Sequence, residues 1–283
     1  MQFGMDVAQQ RQSFDEIVSR VRFAEDLGFD GAWGFDHLVP MYGQGPGECF
    51  EGMTTLAALA TATSRIRLGL LVTGVTYRHP SMLALEAVTV DHASHGRLEL
   101  ALGAAWYGRE HEQFGIEFPP LGERFDRLED TLEIITRLMT GDVVSYAGHH
   151  FDLREARAGP IPVQQPHPPI WIGGTGPRRT LPLVARYADV WHGGGSPSEF
   201  AELSARIDRL AEEIGRNPTT IRRAASLSLS EPDSVVRANI EAMQRAGVTY
   251  LVCGWPSEGR ARVEHFSTRV VVDYAGSRPQ SSR

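Results

Sequence analysis

Apolar positions along this chain fall into two alternating patterns. Short, nearly continuous apolar runs suit strands buried on both faces, and longer segments repeat their apolar residues every three to four positions, as helices do. Phe3 to Val7 reads as a first strand. Phe14 to Leu27 reads as a helix, with Ile17, Val18, Val21, Phe23, Ala24 and Leu27 on one side and Gly28 as its stop. Gly31 to Phe35, Ile66 to Val72 and Leu98 to Leu102 read as the next strands. Met53 to Thr63, a segment capped by Ser81, and Glu123 to Thr140 read as the helices between and after them. The stretch from Arg65 to Gly103 is the clearest unit: RIRLGLLVTGVT, then SMLALEAVTVDHAS, then RLELALG. Two buried strands joined by a helix cross over right-handedly, so both strand ends reach the same edge of a parallel sheet.

The alternation breaks between 143 and 169. Val144 to Leu153, centred on Gly148, predicts a hairpin, and GPIPVQQPHPP a proline-rich link. This is too long for an ordinary connection and reads as an insertion between the fourth helix and the fifth strand. Strands at Ile170–Ile172, Asp189–His192, Ile221–Leu229 and Tyr250–Cys253 then alternate with helices at Thr180–Tyr187, Pro197–Ile214, Asp233–Ala246 and Arg260–Tyr274. Eight strand–helix pairs predict an α/β fold, a (β/α)8 TIM barrel, as one domain over 1–283. An open doubly wound sheet is the rival architecture, but no GxGxxG follows the first strand.

Composition narrows the chemistry. The formal charge of −7 speaks against a nucleic-acid or polybasic membrane role, and no apolar run is long enough to span a bilayer. Cys49 and Cys253 form no disulfide framework or metal spacing. With no signal peptide at the N-terminus, a cytoplasmic protein is expected. All 28 basic residues are arginine. Codon supply is the plain explanation, yet a chain without lysine can form neither a lysine Schiff base nor a Walker P-loop.

In a barrel of this class the C-terminal strand ends form the active face, and the candidate residues collect there. Asp36-His37 ends the second strand. His37 is either a proton carrier or a packed residue beside a capping Asp36, and its position favours the first reading. Val72-Thr73-Gly74 ends the third strand; a plain glycine turn and backbone laid against a flat ring explain it equally well. Gly103-Ala104-Ala105-Trp106 ends the fourth, where tiny residues beside an indole suit a ring better than an ordinary turn. Glu110 and His111, just beyond, are expected to begin a helical turn facing solvent. Gly173-Gly174-Thr175-Gly176 with Pro177 at a helix start suits a phosphate, with Arg178 or Arg179 as countercharge. Trp191-His192-Gly193-Gly194-Gly195 ends the sixth strand as either a cofactor border or a hinge. His149-His150 point to opposite faces of a hairpin and have no third ligand, so no metal is expected.

Taken together, these pieces resemble the bacterial-luciferase-like superfamily of flavin and deazaflavin oxidoreductases, in its branch using coenzyme F420. The resemblance rests on Asp36-His37-Leu38, LAALATATSRIRLGLLVTGVTYRHPSMLA and GRLELALGAAWYGREHEQFG. FPPLGERFDRLEDTLEIITRLMTG and PPIWIGGTGPRRTLPLVARYADVW extend it across most of residues 30 to 195. It implies a dimeric barrel with an insertion and a cofactor ring at the C-terminal mouth. It also implies a non-proline cis peptide among Leu71, Val72 and Thr73, ring contacts from Gly103, Ala104, Ala105 and Trp106, and a phosphate turn at Gly173, Gly174 and Gly176. His37 matches the histidine that helps take the substrate proton in some deazaflavin dehydrogenases. Those enzymes also use a glutamate at the end of strand four, where this chain shows Trp106, and a tryptophan near the place of Met41. The match to sugar-phosphate dehydrogenases is therefore incomplete.

The expected activity is hydride exchange between F420 and a small organic substrate, by a homodimer. The alternatives are an FMN-dependent monooxygenase served by a partner flavin reductase and a non-catalytic flavin-binding protein.

Overall fold

The computed structural model describes residues 1–274. In chain order, β1 (Gln2–Asp6), α1 (Phe14–Asp26), β2 (Gly31–Gly34), α2 (Gly52–Ala62), β3 (Arg67–Leu70), β4 (Thr73–Gly74), α3 (Pro80–Ala93) and β5 (Leu98–Gly103) form the first half. A short helix α4 (Gly108–Phe114), the long α5 (Leu121–Leu138) and a hairpin of β6 (Val144–Ala147) and β7 (Asp152–Ala156) follow. The second half is β8 (Ile170–Gly173), α6 (Thr180–Tyr187), β9 (Val190–Gly193), α7 (Pro197–Glu213), β10 (Arg222–Leu227), α8 (Asp233–Arg245), β11 (Tyr250–Gly254) and α9 (Arg260–Arg269).

The sheet runs β3-β2-β1-β11-β10-β9-β8-β5-β4, every pairing is parallel, and β3 also pairs with β5. The sheet therefore closes on itself. β3 and β4 are two pieces of one barrel strand separated by Leu71-Val72, whose peptide bond is cis. Counted so, eight parallel strands form a TIM-type barrel, and the open-sheet rival is excluded. The hairpin stands outside it as a separate antiparallel pair. Among the described residues no helix is long and apolar enough to cross a membrane.

Side-chain caps open four of the helices, α1, α2, α3 and α7. Ser13 Oγ accepts the Glu16 N–H to open α1, and Ser196 and Glu199 form a reciprocal capping box on α7. The third helix departs from expectation: His79, not Ser81, is its N-cap, with Pro80 in the first turn. Proline needs no N–H there, so the helix starts earlier than the serine. Pro177 likewise lies three residues before α6, whose N-cap is Arg179.

The lower barrel is filled by aromatic side chains. Trp33, Trp171 and Tyr250 are almost fully buried; the two indole rings are 4.4 Å apart, and Trp33 Nε1 donates to Tyr250 Oη at 3.1 Å. Gly4 and Gly69 make room for Trp33, since a Cβ on either would lie 2.5 Å from its ring atoms. Below them the buried Glu99 accepts from Trp171 Nε1 at 2.5 Å and pairs with Arg67. The barrel is thus plugged from beneath, and only its upper end is open.

Candidate active site

A cavity of about 750 Å³ opens at the C-terminal ends of the strands. That size and its mixed walls suit a cofactor-sized ligand. Its floor is formed by Leu71, Val72, Gly103, Ala104 and Ala105, with Gly173 and Gly174 at one side. Gly103 and Gly173 do not lie bare. A Cβ on Gly103 would stand 2.6 Å from Val72 Cγ2, and one on Gly173 2.9 Å from Val72 Cγ1. The glycines let the Val72 side chain lie flat across both strands, and Val72 forms part of the floor. Gly103 and Gly173 line the cavity together with this valine.

The loop after β5 is held in place from beneath. Ala105 has a positive φ of 57°, and the buried Arg124 of α5 donates to the Ala105 carbonyl at 2.7 Å. Its guanidinium also sits 4.0 Å over the Phe118 ring. The sequence reading missed Arg124, because nothing local links an arginine in a helix to a loop twenty positions earlier. Trp106, beyond this loop, is 67% exposed and forms the rim, with its ring 5.7 Å from that of His37.

His37 faces the cavity from the end of β2 and is the centre of a hydrogen-bonded array. Its Nδ1 lies 2.7 Å from Glu110 Oε1, which also accepts from Tyr77 Oη at 2.5 Å, while Glu110 Oε2 accepts the Leu38 N–H at 2.7 Å. Burial would raise the Glu110 carboxyl, but the bonds from His37, Tyr77 and Leu38 outweigh it and hold the group below its usual range. Burial, and then the bond to the Glu110 carboxylate, push the Tyr77 phenol up. Glu110 and His111 are both fully buried, contrary to the solvent-facing turn expected of them. His111 stacks on Tyr77 at 4.7 Å and bonds Thr76 Oγ1 at 2.7 Å, which locks α4 against the barrel. The fourth strand ends in Gly103 with no glutamate beside it, and it is Glu110, entering from α4, that bonds the histidine Trp106 borders.

Asp36 is buried in a different pairing. It takes a two-pronged bond from Arg78, at 2.6 and 2.9 Å, and accepts the Gly74 N–H at 3.0 Å. Burial, opposed by Arg78, pushes its carboxyl up. It pins the β4 turn. Thr73 is buried within β4 and does not line the cavity.

The glycine-rich turn is only partly in the site. Gly173 and Gly174 line the cavity, whereas Thr175, Gly176 and Arg178 lie outside its lining. Arg178 is exposed, and Arg179 pairs with Asp126. The N–H groups of Thr175 and Gly176 find no acceptor among the described residues. Among those residues no group of three His, Cys, Asp or Glu side chains is placed to hold a metal ion.

The family of luciferase-like monooxygenases matches residues 1–268. The chain belongs to it. An F420-dependent hydroxymycolic acid dehydrogenase of Mycobacterium tuberculosis is 32% identical over 79% of this chain and 62% of its own length. An F420-dependent glucose-6-phosphate dehydrogenase of Microbacterium testaceum is 29% identical over 82% of this chain and 69% of its own. The oxygenase component of a flavin-dependent trigonelline monooxygenase of Acinetobacter baylyi is 29% identical over 83% and 65%. Among solved structures, an F420-dependent secondary alcohol dehydrogenase bound to an F420-acetone adduct superposes with a TM-score of 0.84 over 95% of this chain and 98% of its own. At 18% identity it shows the shared fold. The chain is thus a luciferase-like oxidoreductase whose relatives include F420-dependent dehydrogenases at about 30% identity.

Proposed function

We propose that this luciferase-like enzyme moves a hydride between F420 and a small organic substrate. The observation that carries the reading is the His37–Glu110 pair at the mouth of a cavity floored by small and apolar residues. A flat tricyclic ring fits a floor of Leu71, Val72, Ala104 and Ala105, whose height is set by the Val72 methyl groups over Gly103 and Gly173. An acidic tail fits the open N–H groups of Thr175 and Gly176, with Arg178 at the surface nearby in sequence. When bound, the deazaflavin supplies the hydride chemistry.

The protein supplies position and a proton path. Ionised Glu110 holds His37 as the Nδ1–H tautomer, so the Nε2 lone pair is left for a bound molecule, and Nε2 has no partner among the described residues. Nε2 takes the hydroxyl proton as an alcohol is oxidised, and protonated His37 returns it in the reverse direction. Tyr77 and the Leu38 N–H keep the carboxylate from turning away, as an orienting acid does in a hydrolytic triad. We take the working form to be a cytoplasmic homodimer, to be checked by light scattering on the purified protein.

Separate titrations with F420 and FMN test the reading. F420 is expected to bind at least ~10-fold more tightly, a difference of about 1.4 kcal/mol; tight FMN with no F420 binding reverses the cofactor choice. A second reading, an FMN-dependent monooxygenase fed by a reductase, is favoured by the similarity to the trigonelline oxygenase component. Tight cofactor binding without turnover of any alcohol or carbonyl in a substrate screen would instead mark a binding protein.

A further inference from the structure

The cavity has two unlike walls. Opposite the floor, the ends of β1, β9 and β10 and the loop after β10 contribute Asp6, His192, Ser226, Ser228 and Ser230, with Val252 of β11 and Trp255 beside them. The segment Ser226-Leu227-Ser228-Leu229-Ser230 alternates hydroxyl and apolar side chains, and all five residues line the cavity. Ser226 Oγ lies 3.2 Å from His192 Nε2, and Ser228 Oγ accepts the Ser230 N–H at 3.3 Å. Burial pushes His192 down to about 4, so this imidazole is neutral at physiological pH.

Asp6 stands apart on this wall. Its carboxylate makes no hydrogen bond or ion pair with any described residue. Burial pushes it up to about 6, so it is ionised in mildly alkaline solution and costs the fold stability there. No arginine lines the cavity among the described residues, and the chain has no lysine. Asp36 is already held by Arg78, a guanidinium it shares with Glu51 and Glu86. Asp6 therefore sets the sign of the substrate side.

We propose that Asp6 is the specificity-determining residue of this pocket. It accepts a hydrogen bond from a hydroxyl or amine on an otherwise apolar small molecule, and it turns away phosphorylated and carboxylated compounds. Ser226, Ser228 and neutral His192 offer further hydrogen bonds without charge, and Val252 and Trp255 take the apolar part, while Leu227 and Leu229 turn into the core behind the strand. The inference rests on the proposed oxidoreductase reading and narrows its substrate to neutral or cationic alcohols and amines. A negative group brought beside a half-desolvated carboxylate would lose its hydration and meet like charge, with nothing in the lining to offset either.

Three probes sharing one ring test it: cyclohexylmethanol, cyclohexylmethylamine and cyclohexanecarboxylate. Each is titrated by calorimetry at pH 8 into the purified protein, with and without F420. The native protein is expected to bind the alcohol and the amine roughly 10- to 100-fold more tightly than the carboxylate, the range set by an unmet buried polar pairing. Asp6→Asn should bring the three to within about threefold of one another. Asp6→Ser repeats the test in case the first variant folds poorly. Equal binding of the carboxylate by the native protein, an unchanged order in both variants, or no binding of alcohol or amine would each overturn the proposal. Failure of F420 to bind, with the probe order intact, would instead count against the cofactor reading alone.

Discussion

Glu110 is the residue on which the proposed chemistry turns, because its charge does work that its shape does not. Glu110→Gln keeps the size of the side chain but removes the negative charge opposite His37. Under the proposed mechanism kcat should fall by roughly 10²-fold or more, the usual scale for an acid–base contribution, with F420 affinity changed only a few-fold. Steady-state kinetics beside a binding titration separate the two effects, and a variant with full kcat would remove His37 from proton transfer. Asp6 gives a prediction of opposite kind, on stability. Its folded pKa, about 6, is above the ordinary 3.8. The folded state thus prefers the protonated acid, and the associated stability is present below pH 4 and lost as pH rises through 6. The difference between these two values corresponds to at most ~3 kcal/mol, less where water enters the cavity. Asp6→Asn should therefore raise the melting temperature at pH 8 and leave it nearly unchanged at pH 4.

At the scale of elements, the site depends on how β4, the β5 loop and α5 fit together. Gly103→Ala places a methyl group 2.6 Å from Val72 Cγ2, where no contact of that kind is tolerated without movement. Val72 must shift off the floor, at about 1–3 kcal/mol of stability. Denaturant melts and an F420 titration should show both a lower midpoint and weaker binding; a variant binding normally would mean that Val72 does not set the floor. Arg124→Ala removes the donor to the Ala105 carbonyl and the cation over Phe118. It should loosen the loop from 104 to 107, read as faster amide exchange there, while exchange in β1 and β11 stays slow. The strand and helix positions of these elements were legible in the apolar periodicity, and the glycine and alanine ends marked the active face. The pairing of Glu110 with His37 was not legible. α4 carries its two buried polar residues side by side, so no repeating pattern betrays that they point inward, and 73 positions separate the partners.

The whole molecule separates stability from function along the barrel axis. Glu99, Arg67 and Trp171 join at the closed end, while the cavity opens at the other. Glu99→Ala strands a buried indole N–H and weakens the hold on Arg67. It is expected to lower stability by about 3 kcal/mol, seen in a urea melt, with substrate affinity of the folded fraction unchanged. A comparable loss of affinity would show that the two ends are coupled. The hairpin is held differently: Asp130 of α5 accepts from Tyr146 Oη at 2.7 Å and from the His150 N–H at 2.8 Å. Phe151 of the hairpin also packs edge-on against His79 at the start of α3, with the ring centroids 5.1 Å apart.

Taken alone, the order of residues determined the class of fold, the number of repeats, the place of the insertion and which loops share the open face. Those properties follow from period and from short-range turn chemistry, which neighbours in sequence decide. The folded chain decided that Val72 fills the glycine gaps, that Arg178 stands outside the cavity, that Glu110 orients His37, and that Asp6 is left without a partner among the described residues. Each of these depends on groups that closure of the barrel brings together from distant strands, where burial and distance, not sequence spacing, set their charge and their contacts.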